Sequence, residues 1–380
     1  MCCYSNTGSA EVLLEQQSGP GRSLAELGFE PPDSKAHFLF MTDVDCAPIY
    51  RDPKLMSNSL SAKLKNTLLA LTLILATSAP PAIAQNADNV LRIGYQKYGT
   101  LVLLKARGSL EKRLAPLHVE VKWTEFPAGP QLLEGLNVGS IDFGTVGEAP
   151  PIFAQAAGAD LVYVGNEPEA SAAEAIVVPK DSPIKTVAEL KGKKVALNKG
   201  SNVHYLLVKL LEKAGVKYSD IETIFLTPAD ARAAFERGSV DAWAIWEPFL
   251  AAAQKQTGAR ILADGNGVVN NHQFFLASRP YASKRPDVVS IVLEEVAAVD
   301  EWAKTNQKDA AAALVPQIGL DQATLELALS RGGYGVKPVS GPVLAEQQKI
   351  ADAFFDLKLI PKRIAVLDAT VQGNQSQAKR

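Results

Sequence analysis

Cysteine and methionine are missing from most of this chain of 380 residues. The three residues of each type all lie at or before position 56: Cys2, Cys3, Cys46, Met1, Met41 and Met56. Beyond that position the chain has no thiol, so it has no disulfide, no thiolate nucleophile and no cysteine ligand for a metal. Enzyme classes that need a cysteine nucleophile are therefore excluded for this part of the sequence.

Net charge is also missing. Residues 85–380 contain 33 Lys and Arg against 33 Asp and Glu, because residues 1–84 hold 6 and 8 of the chain totals of 39 and 41. A neutral chain without a basic block has no electrostatic footprint for nucleic acid, and we expect no such partner. The composition, 47% hydrophobic and 21% charged, is that of a globular protein with enough residues for two domains.

The amino-terminal region contains one uncharged run, residues 66–79, preceded by Lys63 and Lys65 and followed by Ala82-Ile83-Ala84. A basic start, a short apolar core and an A-x-A site before Gln85 are typical of a cleaved signal peptide, which we assign to residues 56–84. The run is too short for a comfortable membrane span. We expect residues 1–55 to be a non-structural leader from a mis-assigned start, and the mature protein to be periplasmic.

Residues 193–215, KKVALNKGSNVHYLLVKLLEKAG, carry a repeated unit of this chain: a strand, a tight turn at Gly200-Ser201-Asn202, and a helix that stops at Gly215. The first amides of such a helix lack carbonyl partners, and small polar residues there let an anion approach the positive end of the helix dipole. The turn is therefore either half of an anion clamp or an ordinary connection in which Ser201 or Asn202 only caps the helix.

The same unit occurs earlier, where the strand at 90–96 leads through Lys97-Tyr98-Gly99-Thr100 into a helix interrupted near Gly108. Residues 126–142 also echo residues 227–241, since FPA and TPA each begin a helix that ends before GSID or GSVD. The echo indicates two similar α/β lobes. Strands at 175–179 and 273–278 mark two crossings between the lobes, and two crossings make a hinge.

Four segments of the sequence resemble the periplasmic aliphatic sulfonate-binding proteins of ATP-binding-cassette (ABC) importers. The resemblance runs over about residues 91–371 and is carried by LRIGYQKYGTLVLLKARGSLEKRL, EFPAGPQLLEGLNVGSIDFGTVGEAPPIFAQAAGADLVYVG, NKGSNVHYLLVKLLEKAG and TPADARAAFERGSVDAWAIWEPFLAAA. It implies an α/β, two-lobed periplasmic binding protein fold of type II topology, with the ligand in the interlobe cleft. The lobes are expected to be residues 85–175 with 275–380, and residues 176–274.

The implied ligand is an organic anion, an alkanesulfonate, delivered to the membrane subunits of an ABC permease by a monomer without a cofactor or metal. In open parallel sheets, ligands lie outside the carboxyl ends of the strands. We therefore expect the anion at three turns, with His204 and Trp246 beside them. The candidate binding residues are Gln96, Gly99, Thr100, Gly147, Glu148, Ala149, Gly200, Ser201, Asn202, His204 and Trp246.

Several of these side chains have a second interpretation. His204 either donates to the anion or is a surface or capping residue, and Glu148, Glu174 and Glu247 either hold a ligand amine or bond neighbouring backbone amides. Trp243 is expected in the core and Trp246 at the cleft wall, because strict alternation places them on opposite faces of their strand. Arg232 is expected on a solvated helix face.

Other functions stay open at this point. Relatives of the fold bind taurine, nitrate, bicarbonate or a thiamine precursor, and others are desulfinases or lyases. An enzyme is not expected, because the desulfinases need a cysteine. The effector domain of a transcription regulator shares the two-lobe plan, but an export signal stands where a helix-turn-helix belongs.

Overall fold

The computed structural model describes residues 89–371. The predicted leader at 1–55, the predicted signal peptide at 56–84 and the predicted start of the mature chain at Gln85 lie outside the described residues. Within residues 89–371, no helix is both long and apolar enough to cross a membrane.

Two five-stranded sheets organise the described chain, and each has one antiparallel strand. The first sheet has the order β2-β1-β3-β10-β4, and its strands are β1 Val90–Tyr95, β2 Glu120–Glu125, β3 Phe143–Gly147, β4 Leu161–Asn166 and β10 Gln273–Ser278. The second has the order β7-β6-β8-β5-β9, and its strands are β5 Glu174–Val178, β6 Lys194–Leu197, β7 Glu222–Phe225, β8 Ala242–Trp246 and β9 Arg260–Asp264. This arrangement confirms the predicted two-lobed fold.

The antiparallel strand of each sheet comes from the chain that has just crossed between lobes. Strand β5 enters the second sheet beside β8, and β10 re-enters the first sheet beside β3. The crossings are residues 167–173 and 265–272, between β4 and β5 and between β9 and β10. The finer domain limits given above stay a prediction.

Helices cover both sheets. Their bounds are α1 Thr100–Arg107, α2 Ser109–Leu114, α3 Gly129–Asn137, α4 Pro150–Ala156, α5 Asn202–Lys213, α6 Pro228–Glu236, α7 Phe249–Ala252, α8 Arg279–Lys284, α9 Pro286–Thr305, α10 Gln307–Ile318, α11 Gln322–Leu329 and α12 Gly341–Asp356. The predicted break near Gly108 is confirmed, because Gly108 takes a left-handed conformation between α1 and α2. The helices after β10 pack on the first sheet: Val292 of α9 shares a buried cluster with Ile93, and Phe354 of α12 shares another with Leu276.

The predicted echo between the lobes is confirmed at the level of hydrogen bonds. Asp142 precedes β3, where its backbone amide donates to Arg92 O and its carboxylate accepts from Arg92 N, at 2.7 and 2.9 Å. Asp241 precedes β8 and makes the same two bonds with Lys194, both at 2.8 Å. Each aspartate therefore ties its central strand to the same point of the neighbouring strand.

Asp142→Asn is expected to lower the free energy of unfolding by about 1 to 3 kcal/mol, because it removes a charge-assisted contact from a side chain that is 6% exposed. In the folded chain, the Arg92 guanidinium donates to both carboxylate oxygens, at 2.8 and 2.6 Å. Asp241→Asn is the matched control, since Lys194 contributes only its backbone amide. Urea titration of both variants measures the difference, and equal losses would contradict a contribution from the Arg92 side chain.

Candidate functional site

The cleft between the sheets contains two adjoining cavities. The inner cavity, about 10 Å³, is lined from the first lobe by Gln96, Tyr98, Gly129, Gly147, Pro150 and Gln273, and from the second by Asn202 and Trp246. The outer chamber, about 220 Å³, shares Gln96, Tyr98 and Trp246 with it and extends between the loops after β1, β2 and β7. The carboxyl ends of strands from both lobes therefore meet here, as the topology predicts.

The turn after β1 contributes Gln96 and Tyr98 to this site but not the hydroxyl of Thr100. Gln96 is 7% exposed, and its Nε2 donates to Thr145 O at 3.1 Å. Thr100 Oγ1 lies 2.9 Å from Glu167 Oε1 and 2.5 Å from Asp300 Oδ1. The hydroxyl of Thr100 is therefore engaged with two carboxyl groups, and its binding of the anion stays a prediction. Gly99 takes φ 78° at the start of α1 and borders a neighbouring pocket rather than the inner cavity.

The loop after β3 brings Gly147 to the cleft and buries its neighbours. A Cβ added to Gly147 would lie 2.9 Å from Asn202 Cβ on the other lobe, so only glycine allows this close approach. Glu148 is 2% exposed, and its Oε2 accepts from the His272 amide at 3.3 Å. Ala149 is fully buried at the start of α4. Glu148 therefore bonds a backbone amide, the second of its two interpretations.

The turn before α5 satisfies its own polar groups. Ser201 Oγ donates to Asn198 O at 2.7 Å, and its side chain makes no capping bond to the helix. The Gly200 amide donates to His204 Nδ1 at 3.1 Å, and His204 Nε2 lies 2.7 Å from the Tyr218 hydroxyl. The Ser201 hydroxyl and both His204 ring nitrogens are thus engaged within the chain, and anion binding by these two residues stays a prediction.

His204 is also not a surface residue. It is fully buried and stacks on Phe153, with ring centroids 6.2 Å apart. Burial lowers its pKa from 6.5 to about 4, with a further contribution from Lys199. A neutral imidazole that accepts the Gly200 amide at Nδ1 carries its proton on Nε2. His204 therefore accepts from the loop before α5, as the capping interpretation expects.

Asn202 lines the inner cavity, but both hydrogens of its side-chain amide are donated to residues near the hinge. Its Nδ2 donates to Glu174 Oε2 at 2.6 Å and to Asn271 Oδ1 at 3.1 Å. Asn271 belongs to the second crossing and in turn donates to Ala170 O in the first crossing, at 2.9 Å. Asn202 thus joins the second lobe to both crossings, and only its carbonyl oxygen is left to face the cavity.

The two tryptophans are placed as the strand alternation predicts. Trp243 is 1% exposed and packs on Phe235 in the second core, and Trp246 lines both cavities. Glu247 accepts from the Ala251 amide at 2.9 Å and pairs with Arg331. Arg232 lies on the outer face of α6, where it pairs with Glu236.

The comparisons with known proteins agree with this geometry. A family model described as NMT1/THI5 like matches residues 118–310. A putative aliphatic sulfonates-binding protein of Escherichia coli is 46% identical over 314 residues, 82% of this chain and 98% of that protein. The chain belongs to the aliphatic sulfonate-binding protein family. A second member, from Bacillus subtilis, is 35% identical over 73% of this chain and 84% of its own length.

A solved structure of this family has the same fold. The alkanesulfonate-binding protein SsuA from Xanthomonas axonopodis pv. citri, bound to MOPS, superimposes with a TM-score of 0.71 at 45% identity. The match covers 74% of this chain and 98% of that one. The two-lobed family fold is thereby shown for this chain.

Two further polar side chains line the cleft of this family member. Neither was among the residues predicted from the sequence to bind the ligand. Tyr98 lines both cavities, and Gln273 lines the inner one although it is 4% exposed. Neither side chain makes a hydrogen bond to any residue within 89–371, and neither is closed off from the cavity space. Tyr98 lies in the turn at residues 96–100, which was predicted to bind the anion. Gln273 begins β10, and no sequence pattern indicated that it would line the cleft.

Buried carboxyl groups lie next to the cleft of this family member. Burial raises the pKa of Glu148 from 4.5 to about 8, against hydrogen bonds from the backbone of His272 and Asn271. Burial also raises the pKa of Glu174 well above 4.5, and the charge of Glu148 adds to the effect. Carboxyl groups that stay neutral near pH 7 do not repel an anion in the adjacent cavity.

The raised pKa of Glu148 predicts that stability falls as pH rises. Between about pH 4.5 and 8 the folded chain holds a proton that the unfolded chain has lost, so the free energy of unfolding decreases with pH. The slope for one such group is up to about 1.4 kcal/mol per pH unit. Urea titrations from pH 5 to 9 are expected to show a shallower decline for Glu148→Gln and an unchanged one for Glu212→Gln, whose carboxylate is 66% exposed.

Proposed function

We propose that this chain is the periplasmic solute-binding protein of an ABC importer for aliphatic sulfonates. The observation that carries the proposal is the pair of adjoining interlobe cavities, in which polar side chains of both lobes meet. The two sulfonate-binding relatives, and the MOPS bound in the solved structure from Xanthomonas axonopodis, support the same ligand class. MOPS is itself an alkyl sulfonate with a bulky end.

The sulfonate group belongs at the junction of the cavities, beside the three residues that they share. Gln96, Tyr98 and Trp246 come from both lobes there, and Gln273 lies next to them in the inner cavity. A sulfonate keeps its charge at ordinary pH and has three acceptor oxygens, which neutral donors such as the Tyr98 hydroxyl, the Trp246 indole and the Gln273 amide can satisfy. Hydrogen bonds to a charged group contribute about 1.5 to 3 kcal/mol each.

The rest of the ligand belongs in the outer chamber. Its walls are largely apolar, with Phe126 and Pro127 from the first lobe facing Pro228, Trp246 and Phe249 from the second. A volume of about 220 Å³ accommodates an alkyl or cyclic tail, whereas nitrate and bicarbonate would leave most of it unfilled. The shape therefore favours organic sulfonates over those inorganic anions, and taurine or a thiamine precursor is the alternative within the same class.

The remaining parts of the proposal follow from the family. The relatives are binding proteins, so we propose a binding role without catalysis, export by the signal peptide at 56–84, and delivery of the ligand to permease subunits. Catalysis is tested directly: incubation of the purified protein with an alkanesulfonate should release no sulfite. Sulfite formation that depends on the protein would favour an enzyme of this fold.

A ligand screen tests the function. We expect butane-1-sulfonate to raise the melting temperature of purified residues 85–380, since a ligand at 100 times its Kd stabilises the folded state by about 2.7 kcal/mol. Sulfate, nitrate and bicarbonate at the same concentrations should have little effect. Stabilisation by nitrate or bicarbonate but by no sulfonate would contradict the proposal.

A further inference from the structure

A third pocket lies beside the cleft on its hinge side. It has a volume of about 40 Å³ and is enclosed mainly by apolar side chains of α1, α10 and α11, among them Leu314, Leu325 and Leu329. Tyr98 lines this side pocket as well as both cleft cavities, and Lys97 lines it together with the outer chamber. The side pocket therefore borders the proposed sulfonate position at Tyr98.

One acidic side chain, Glu167, faces the side pocket with a free oxygen. Glu167 is 3% exposed and follows β4 at the start of the first crossing. Its Oε1 is bonded to Thr100, whereas Oε2 has no partner among residues 89–371 and is not sealed from the pocket. An acidic oxygen in an apolar enclosure is costly unless a cation or a donor meets it.

The contacts of Thr100 show that Glu167 shares a proton with a neighbour. Thr100 Oγ1 lies within hydrogen-bonding distance of both Glu167 and Asp300, at 2.9 and 2.5 Å. A hydroxyl has one hydrogen to donate, so the second bond requires a proton on one of the two carboxyl groups. Asp300 Oδ2 also accepts from the amides of Gly335 and Val336, both at 3.0 Å. The carboxyl group of Asp300 therefore has more hydrogen-bond partners than that of Glu167, and Glu167 is the group left to a ligand.

The other polar groups that line the side pocket leave Glu167 without a cationic partner, because they are neutral tyrosines or charged groups that are already paired. Burial raises the pKa of Tyr98 well above its ordinary value, and Glu167 makes the largest charge contribution. The ring of Tyr334 also lines the pocket, while its hydroxyl donates to Leu329 O at 2.7 Å. Glu247 lines the pocket too but is already paired with Arg331. The charged group of Lys97, which also borders the pocket, lies 3.8 Å from Glu125 Oε1.

We propose that the side pocket binds the protonated amine of a zwitterionic aminosulfonate whose sulfonate occupies the cleft. The proposal rests on the proposed sulfonate-binding function and adds to it a subsite for the ligand's amine. Glu167 Oε2 accepts from the ammonium group, and the faces of Tyr98 and Tyr334 contribute cation–π attraction. A primary ammonium group suits the size, because about 10 to 15 Å³ of such space holds one water-sized group.

The test compares two ligands of nearly equal shape, 3-aminopropane-1-sulfonate and butane-1-sulfonate, which differ by an ammonium in place of a methyl group. We expect the ammonium ligand to bind about ten-fold more tightly at pH 7. It should also release about one proton from the Glu167 and Asp300 pair on binding, whereas butane-1-sulfonate releases none. Isothermal titration calorimetry in phosphate and in Tris measures both quantities without a sulfonate buffer.

The variants then identify the group responsible. Glu167→Gln is expected to remove the preference for the ammonium ligand and its proton release while binding butane-1-sulfonate as the parent does. Glu212→Gln, whose side chain is 66% exposed and lines none of the three cavities, is the control and should change neither quantity. Equal affinities without proton release in the parent chain would overturn the amine subsite, and this measurement needs no variant to fold. Failure of both ligands to bind would overturn the sulfonate function and the subsite with it.

Discussion

Gly147→Val is expected to weaken sulfonate binding about 10- to 100-fold while each lobe stays folded. The last residue of β3 faces α5 across the cleft, and an added Cβ would lie 2.9 Å from Asn202 Cβ and 3.0 Å from its Cγ. Real side chains do not approach so closely, so the lobes must separate. Overpacking of this kind costs about 1 to 3 kcal/mol. Here it destabilises the closed form, which is the form that encloses the ligand.

Gly341→Val is the matched control for this prediction. Gly341 begins α12, and a Cβ there would meet no atom within 4 Å. Calorimetric titration with butane-1-sulfonate gives the change in Kd, and small-angle scattering with and without ligand gives the change in radius. If Gly147→Val binds as tightly as Gly341→Val and compacts to the same radius, contact between Gly147 and Asn202 is not part of the ligand-binding form.

Much of the fold was predictable because the repeated units are strongly periodic. The helix after Ser201 has buried leucines at 206, 207, 210 and 211, and this spacing identified its inner face from the sequence. Strand β9 was missed. Its five residues are all half-buried without alternation, and it lies at the sheet edge after a π-helical turn at Ala253–Thr257. A short edge strand with no buried face carries no periodic signal.

The candidate site was predictable as a set of turns but not as a set of donors. The turns at 96–100, 147–149 and 200–202 do lie at the carboxyl ends of strands, as the unit pattern requires. Whether a side chain has an unbonded hydrogen to donate to a ligand depends on residues that are remote in the sequence. Thr100 is bonded to groups 67 and 200 positions away, and Asn202 to a crossing residue 69 positions away. Local pattern contains none of these contacts.

Burial raises the pKa of three glutamates around the cleft, which disfavours their charge beside a bound anion. Glu148, Glu167 and Glu174 all have a raised pKa whose largest cause is burial. Burial raises the pKa of Glu247 as well, but Arg331, 2.5 Å from its Oε1, opposes that rise and supports its charge. This pair also connects the lobes, since Glu247 follows β8 of the second sheet and Arg331 follows α11, whose Leu325 packs in the first lobe's core.

Arg331→Met is expected to lower the free energy of unfolding by about 3 to 5 kcal/mol near pH 8, because it leaves the buried Glu247 charge without its partner. The Glu247 side chain is 1% exposed, so water cannot replace the guanidinium. The double variant Arg331→Met with Glu247→Gln should recover most of the loss, since a neutral amide keeps the Ala251 contact without a charge. Arg363→Met is the control, because that arginine is 60% exposed and its pairs contribute less than about 1 kcal/mol. Urea titration of the parent, Arg331→Met, Glu247→Gln and the double variant completes the cycle, and Arg363→Met is measured beside them. A double variant as unstable as Arg331→Met would show that packing by the arginine stem, and not the charge of Glu247, holds α11 against the second lobe.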